Sequence, residues 1–229
     1  MLMWNSPVFS MPPSWIFRAI IIVHEEVMEL FLIRHGETVW NKERRVQGFS
    51  DIDLNDVGLK QARQLALSLK NHDIRSIYSS PLIRARKTAQ IVNQYHHAPI
   101  YLESSLMEMN QGDFEGLSFQ ELMSREKDFL RKWISDPASV RMPNGESFAE
   151  LQARAWKAIE NIVYKHDKAL VVSHSFTIAS ILCKIKDINL SEFRSVHVDT
   201  ASKTIVRFQN GSAFIDLFND RNHLSSDNR

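Results

Sequence analysis

The sequence predicts a three-layer α/β/α domain with a mostly parallel central sheet and an antiparallel hairpin at its C-terminal edge. Short apolar runs alternate along the chain with segments whose apolar residues recur every three or four positions. Near the C-terminus, Asn210-Gly211 separates two strand-like runs, which is typical of a tight hairpin. The hydrophobic fraction of 44% is ordinary for a globular domain of 229 residues.

The first predicted strand is Leu30–Ile33, a continuous apolar run that ends in charge, as buried parallel strands do. Asn55 is placed to cap the helix that follows it. A second strand is predicted over Ile74–Tyr78. The next helix is expected to begin at Ser80-Pro81, with a capping serine before a proline in the first turn.

The later elements follow the same alternation. They are a short strand at Pro99–Leu102, a helical region at Phe119–Ile134, a helix opened by the capping box Ser147–Glu150, a buried strand at Ala169–Val172, a helix at Ser175–Lys184, and the hairpin strands Thr204–Phe208 and Ala213–Phe218. We expect residues 28–220 to form one domain and residues 221–229 a polar tail. Residues 1–27 lack a regular period, and we expect them to be an N-terminal extension upstream of a natural start at Met28.

Composition excludes several classes of protein. The 28 Lys and Arg residues nearly balance 27 Asp and Glu, so no net charge attracts nucleic acid or an anionic membrane. The single cysteine, Cys183, allows no intramolecular disulfide and favours a reducing, cytoplasmic compartment. The apolar run Ala19–Val23 is too short to span a bilayer. We expect no metal, no cofactor, and no nucleic-acid or membrane partner; the oligomeric state stays open, a homodimer included.

Polar and basic residues follow three of the predicted strands. These groups are Arg34-His35-Gly36-Glu37-Thr38 with Asn41, Ser79-Ser80-Pro81 with Arg84, and Ser173-His174-Ser175. In a parallel sheet they converge at one edge, where ligands of α/β folds bind. Arginine offers planar, permanently charged donors that match phosphate, and histidine exchanges protons near neutral pH. The pattern therefore predicts a site for an anion with several oxygens, most simply phosphate.

The ordered motifs resemble the histidine phosphatase superfamily, the phosphoglycerate mutase-like group. The matching segments are Leu32–Thr38, Trp40-Asn41, Gln47-Gly48, Asp53-Leu54, Gly58, Ser79–Ala85, Glu108, Asn144–Ser147 and Val172–His174. The resemblance extends from Met28 to about Phe218. An Arg-His-Gly tripeptide alone would be a weak signal, whereas the whole set in this order is highly specific.

The resemblance implies that His35 attacks phosphorus and forms a phosphohistidine. Covalent catalysis of this kind divides one difficult transfer into two easier ones. Arg34, Arg84 and His174 would bind the phosphoryl oxygens and stabilise the transition state. Asn41 would donate a further hydrogen bond.

The resemblance also assigns a proton donor. Glu108 would protonate the leaving oxygen and then activate water, with Asp113 and Glu115 as rivals that spacing alone does not exclude. The substrate side would be completed by Gln47, Gly48 and backbone amides near Ser175 at a helix start.

The implied function is a metal-independent phosphomonoester hydrolase that acts on a small phosphorylated metabolite, for example α-ribazole phosphate, a sugar phosphate or phosphoserine. The compact segment Met107–Leu117 resembles the phosphatase branch of the family. The longer basic and aromatic insertion of the mutase branch is absent between Leu117 and Pro143. The alternatives are a cofactor-dependent phosphoglycerate mutase and a non-catalytic module that binds a phosphorylated ligand.

Overall fold

The computed structural model describes residues 27–228, so all but the last residue of the predicted extension 1–27 lies outside the described residues. The strands are β1 (Met28–Arg34), β2 (Ile77–Ser79), β3 (Ile100–Leu102), β4 (Lys168–Ser173), β5 (Lys203–Gln209) and β6 (Ser212–Asp220). The helices are α1 (Val39–Lys42), α2 (Asp56–Leu69), α3 (Ile83–Val92), α4 (Phe119–Arg125), α5 (Lys127–Ser135), α6 (Phe148–Lys165) and α7 (Ser175–Ile185).

The strands form one mixed sheet in the order β3-β2-β4-β1-β5-β6. β1 runs parallel to β4, and β2 runs parallel to both β3 and β4. β5 pairs with β1 in antiparallel orientation, and β6 closes the hairpin at the edge. The predicted fold class is confirmed, because the sheet is mostly parallel and its antiparallel strands lie at the C-terminal edge.

Helices cover both faces of this sheet. Alternate residues of β1 point to opposite faces. Phe31 and Ile33 pack with buried residues of α2 and α3. Leu30 and Leu32 pack on the other side with α6 and α7. The central strands are therefore apolar on both faces, which explains why their sequences are continuous apolar runs.

Three local signals with specific geometry were predicted correctly. The Asn55 side chain caps α2 by accepting from the Gly58 amide at 2.8 Å. Ser147 and Glu150 form the predicted capping box at the start of α6. Asn210 and Gly211 both have positive φ, as a two-residue hairpin turn of type I′ requires.

The predicted start of α3 at Ser80-Pro81 is wrong by two residues. The helix begins at Ile83, and its amide donates to the Asp51 carboxylate at 2.6 Å. The Ser80 hydroxyl oxygen accepts weakly from the Leu82 amide and lies 2.8 Å from His174 Nε2. Ser80 is therefore drawn toward the neighbouring strand end, and a distant carboxylate caps the helix in its place.

Other predicted boundaries also moved. β2 is short and ends at Ser79, later than the predicted strand over Ile74–Tyr78. The helical region Phe119–Ile134 is two helices, because Glu126 leaves helical geometry with φ −118° and ψ 39°. The short helix α1 was not predicted; it is capped by Thr38.

Residues 221–228, expected to form a polar tail, pack against the domain. Leu224 is buried, and the Asn228 carbonyl accepts from Gln61 Nε2 at 2.9 Å. Gln61 Oε1 in turn accepts from the Glu37 amide at 2.8 Å. The C-terminal segment is thus connected through one α2 side chain to the loop that follows β1.

That loop lies unusually close to α2. A Cβ at Gly58 would lie 2.0 Å from the Glu37 carbonyl oxygen, and one at Gly36 would lie 2.5 Å from the Gly58 carbonyl oxygen. Real Cβ contacts are not this short, and the neighbouring atoms belong to the backbone. Two glycines therefore allow the helix to support the loop directly.

We predict that Gly58→Ala lowers the free energy of unfolding by about 1–3 kcal/mol, because the added methyl group must displace the Glu37 backbone. Urea denaturation measures the change. Leu67→Ala, on the exposed face of the same helix, is the control and should stay within about 0.5 kcal/mol of the parent. A Gly58→Ala protein as stable as the parent would contradict the close approach.

Candidate active site

The ends of β1 and β4 bring two histidines together. Arg34 is paired with Ser173 in the parallel register, and the His35 amide donates to the Ser173 carbonyl at 3.1 Å. The rings of His35 and His174 consequently lie 5.1 Å apart, centroid to centroid. Both side chains are almost wholly buried. The predicted convergence of these two strand ends is therefore present.

Two guanidinium groups lie beside the histidines. Arg84, from the first turn of α3, is fully buried and donates to the Ser50 and Gly48 carbonyls, each at 2.8 Å. Arg34 donates to the Val198 carbonyl at 2.6 Å. Burial lowers the pKa of Arg84 to about 10, which leaves it charged at neutral pH. Burial also lowers the pKa of Arg34, against the opposing effect of the Glu108 carboxylate.

The two imidazoles are neutral at pH 7. Burial holds the pKa of His35 well below its usual range, and the charges of Arg84 and Arg34 lower it further. Burial has the same effect on the pKa of His174, with Arg84 as the next cause. An uncharged imidazole has a nitrogen lone pair available for attack.

Hydrogen bonding identifies the nitrogen that is free. His35 Nδ1 lies 2.7 Å from the Gly36 carbonyl oxygen. Because a carbonyl only accepts, we assign the ring proton to Nδ1. Nε2 of His35 is therefore the nitrogen with the free lone pair, which is the form a nucleophile needs.

Three buried donors in this cluster lack an acceptor among residues 27–228. They are Nε of Arg34, Nε of Arg84 and Nδ1 of His174. The Ser80 hydroxyl accepts from the Leu82 amide and can donate its own proton to His174 Nε2, so we assign the ring proton to Nδ1. Buried donors without acceptors are costly, and a bound anion with several oxygens would satisfy them.

Glu108 is held at the start of α7. Its carboxylate accepts from the Met109 amide at 2.9 Å, the Phe176 amide at 3.3 Å and the Thr177 amide at 3.2 Å. We expected amides near Ser175 to serve a bound phosphate. In the structure, the two amides that follow Ser175 donate to the Glu108 carboxyl group.

The two rival carboxylates hold loops. Asp113 accepts from Asn144 Nδ2 at 2.9 Å. Glu115 accepts from the amides of Phe49 and Ser50 at 2.7 and 2.8 Å. It also fills the space beside Gly48, where a Cβ would lie 2.1 Å from its Oε1. The segment that contains Gly48 is thus held by two side chains of opposite charge. Arg84 binds its carbonyl oxygens, and Glu115 binds its amides.

Asn41 and Gln47 shape the loop after β1. Asn41 closes a capping box with Thr38, and its Oδ1 accepts from the Thr38 amide at 3.1 Å. Gln47 Oε1 lies 2.9 Å from the Thr38 hydroxyl. Both side chains therefore share Thr38 as a partner, which orders the loop next to His35.

Sequence reasoning missed Arg154, in the middle of α6. Its guanidinium donates to the main-chain carbonyl of Glu108 at 2.7 Å and to the Glu146 carboxylate at 3.0 Å. Thr177, also missed, donates through its hydroxyl to the Met107 carbonyl at 2.8 Å. The carbonyl partners are main-chain oxygens distant in sequence, so no local spacing indicates these contacts.

Within residues 27–228, no cluster of three or more His, Cys, Asp or Glu side chains is arranged to hold a metal ion. The positive charge described in the site belongs to Arg34 and Arg84. Over the same range of the chain, no helix is long and apolar enough to cross a membrane.

A buried imidazole with a free nitrogen lies near two arginines at the carboxyl edge of a three-layer α/β sheet, an arrangement suited to binding a phosphoryl group. The family model "Histidine phosphatase superfamily (branch 1)" matches residues 30–221, and the chain belongs to this family. The predicted family is thereby confirmed, and with it an enzyme of the phosphoglycerate mutase-like phosphatase type.

The similar curated proteins carry either a phosphatase or a mutase name. "Phosphoserine phosphatase 1" of Hydrogenobacter thermophilus is 31% identical over 86% of this chain and 95% of its own length. "Metal-independent phosphoserine phosphatase" of Arabidopsis thaliana is 34% identical over 89% of this chain and 86% of its own. "Probable phosphoglycerate mutase GpmB" of Escherichia coli is 34% identical over 80% of this chain and 86% of its own.

A solved structure shows the same fold. "Bacillus stearothermophilus YhfR" superposes with a TM-score of 0.82 and is 32% identical. The match covers 86% of this chain and 98% of that one. The fold of this chain therefore matches that of a solved structure over most of its length.

We predict that the protein loses stability as the pH falls below about 6.5, the ordinary histidine pKa. The unfolded imidazoles take up protons there, while the buried His35 and His174 do not, so protons favour the unfolded state. His35→Gln or His174→Gln should each flatten this decline by up to about 1.4 kcal/mol per pH unit.

Urea denaturation between pH 7.5 and 5.5 measures the slope. His97→Asn is the control, since His97 is exposed and an asparagine tolerates its positive φ. Equal slopes in the parent and both site variants would show that these imidazoles titrate normally in the folded protein.

Proposed function

We propose that the protein is a metal-independent phosphomonoester hydrolase that forms a phosphohistidine on His35. The observation that supports this most directly is the neutral ring with a free Nε2, beside buried N–H groups of Arg34 and Arg84 that have no acceptor in the described part of the chain. Such a cluster matches a phosphoryl group, which needs its oxygens held while a nucleophile approaches in line.

In the first step, His35 Nε2 forms a bond to phosphorus, and the bond from phosphorus to the leaving oxygen breaks. Arg34, Arg84 and His174 bind the three oxygens that remain on phosphorus. Glu108, in its protonated form, gives its proton to the leaving oxygen, and the free alcohol departs.

In the second step, Glu108 takes a proton from water as the water oxygen bonds to phosphorus. The bond between phosphorus and His35 Nε2 breaks, inorganic phosphate leaves, and the ring returns to its starting tautomer. Asn41, Gln47, Gly48 and Ser175 surround this chemistry as residues of the substrate side in the same proposal.

The proposed substrate is a small phosphorylated metabolite, with phosphoserine as the first candidate to test. This rests on two similar proteins whose names state phosphoserine phosphatase activity. The compact segment Met107–Leu117 supports hydrolysis over transfer. The similarity to a probable phosphoglycerate mutase keeps mutase activity as the second candidate.

Two further properties of the chain fit a small phosphorylated metabolite as the partner. A net charge of +1 favours neither nucleic acid nor membrane. Cys183 is buried and unpaired, which suits a reducing, cytoplasmic compartment. We further propose that residues 28–220 form the catalytic domain, with the segment after it docked on α2.

We predict that His35→Ala abolishes hydrolysis, because no other described imidazole has the same free nitrogen beside both arginines. The assay is a phosphorus NMR time course in EDTA with p-nitrophenyl phosphate, phosphoserine and 3-phosphoglycerate, with a trace of 2,3-bisphosphoglycerate. Inorganic phosphate that appears only with the parent protein supports a metal-independent hydrolase. The appearance of 2-phosphoglycerate without inorganic phosphate would assign the mutase instead, and full activity in His35→Ala would refute the nucleophile.

We predict that Glu108→Gln slows phenyl phosphate hydrolysis about 10²–10⁴-fold, the range for loss of a general acid, and p-nitrophenyl phosphate hydrolysis far less. The two substrates are similar in shape. Unsubstituted phenolate is the poorer leaving group and needs a proton as it departs, whereas the nitro group stabilises p-nitrophenolate as an anion. Asp113→Asn is the control, because Asp113 holds a loop through Asn144. Equal losses on both substrates would move the acid role away from Glu108.

A further inference from the structure

Arg154 connects α6 to the segment that precedes and contains Glu108. Its Nη1 donates to the carbonyls of Ser105 and Met107, each at 2.8 Å, and its Nη2 donates to the Glu108 carbonyl at 2.7 Å. Nε and Nη2 also donate to the Glu146 carboxylate at 3.1 and 3.0 Å. One guanidinium therefore contacts three main-chain oxygens and one carboxylate.

This segment has few regular backbone partners. The Leu106 carbonyl accepts from the Ser173 hydroxyl at 2.7 Å, and the Met107 carbonyl accepts from the Thr177 hydroxyl at 2.8 Å. Side chains from β4, α7 and α6 thus supply the donors that a sheet or helix would otherwise give. Arg154 is the charged member of this set.

Glu146 holds Arg154 in place and continues the same connection. Its amide donates to the Asn110 carbonyl at 3.0 Å, on the other side of Glu108. The Arg154 and Glu146 side chains are 24% and 14% exposed, so solvent screens their ion pair less than a surface pair. The chain is therefore fixed both before and after Glu108.

We propose that Arg154 is a positioning residue for Glu108, an inference that rests on the proposed function. Arg154 bonds the Glu108 main chain and leaves the Glu108 carboxylate to the amides at the start of α7. With the backbone fixed from α6, the carboxylate keeps one position relative to the leaving oxygen. A displacement of about 1 Å in such a group is enough to cost about 10²-fold in rate.

The planar guanidinium of Arg154 suits the positioning of the Glu108 main chain better than a lysine ammonium would. It presents five N–H donors in a fixed fork, whereas a lysine has a single nitrogen. Lysine at this position could keep the ion pair with Glu146 but would lose most bonds to the three carbonyls. We therefore expect Arg154→Lys to fold normally and still to impair proton donation.

The test compares phenyl phosphate with p-nitrophenyl phosphate for the parent, Arg154→Lys, Arg154→Ala and Glu108→Gln. Both Arg154 variants should lose about 10–100-fold in kcat on phenyl phosphate, part of the contribution of a general acid, and under about threefold on p-nitrophenyl phosphate. Added guanidinium ion at millimolar concentration should restore part of the phenyl phosphate activity to Arg154→Ala.

A double variant separates positioning from simple support of the fold. If Arg154 acts through Glu108, Arg154→Lys should add no further loss on phenyl phosphate in the Glu108→Gln background. Arg141→Ala is the matched control, since Arg141 also contacts this region, through the Gly145 carbonyl, but is exposed. Its ratio of rates on the two substrates should equal that of the parent.

Equal losses on both substrates, or additive losses in the double variant, would overturn the Arg154 proposal alone. If Glu108→Gln itself shows no dependence on the leaving group, the acid assignment fails and the Arg154 proposal fails with it. If His35→Ala keeps full activity, the phosphohistidine route fails, which the phosphorus NMR time course detects independently.

Discussion

The parallel pairing of β1 with β4 is the constraint on which the site depends. The register sets Arg34 opposite Ser173, so the residues that leave the two strands, His35 and His174, are neighbours. A shift of one residue would exchange the side chains that one strand presents to the two closely packed cores, and it would also move His35 away from His174. The energy that fixes the catalytic geometry is therefore the burial of valine, leucine and isoleucine side chains.

The cost of the site is the burial of positive charge. Arg84 is fully buried, and Arg34 is close enough to lower the pKa of His35 together with it. Carbonyl oxygens of Gly48 and Ser50 satisfy part of the Arg84 guanidinium, and the rest lacks acceptors in the described chain. This arrangement holds the pKa values of both imidazoles low. In the proposed mechanism, the phosphoryl group would supply the missing acceptors, and the free energy of those hydrogen bonds would favour the transition state.

Features that depend on local residue spacing, or on the residues directly after a strand, could be predicted from the sequence. The Asn55 cap, the Asn210-Gly211 turn and the convergence at the sheet edge follow from such patterns. Ser80 was misread because a long-range contact with His174 outweighs its local capping role. Most contacts of Arg154 were invisible because main-chain carbonyls accept from any residue. Its side-chain hydrogen-bond partner, Glu146, lies in the loop before α6, and no motif marks the pair.

The site is built in two halves that different elements support. The half proposed to bind the phosphoryl group comes from the ends of β1 and β4 and from α3, whereas Glu108 is held by the start of α7 and by Arg154 on α6. The halves meet at His174, which follows β4 and is the N-cap residue of α7. In the proposed mechanism, changes in the loops around Glu108 would therefore alter proton donation to the leaving group without moving His35. Relatives of this chain carry both phosphatase and mutase names, and such a separation would let one fold serve both activities.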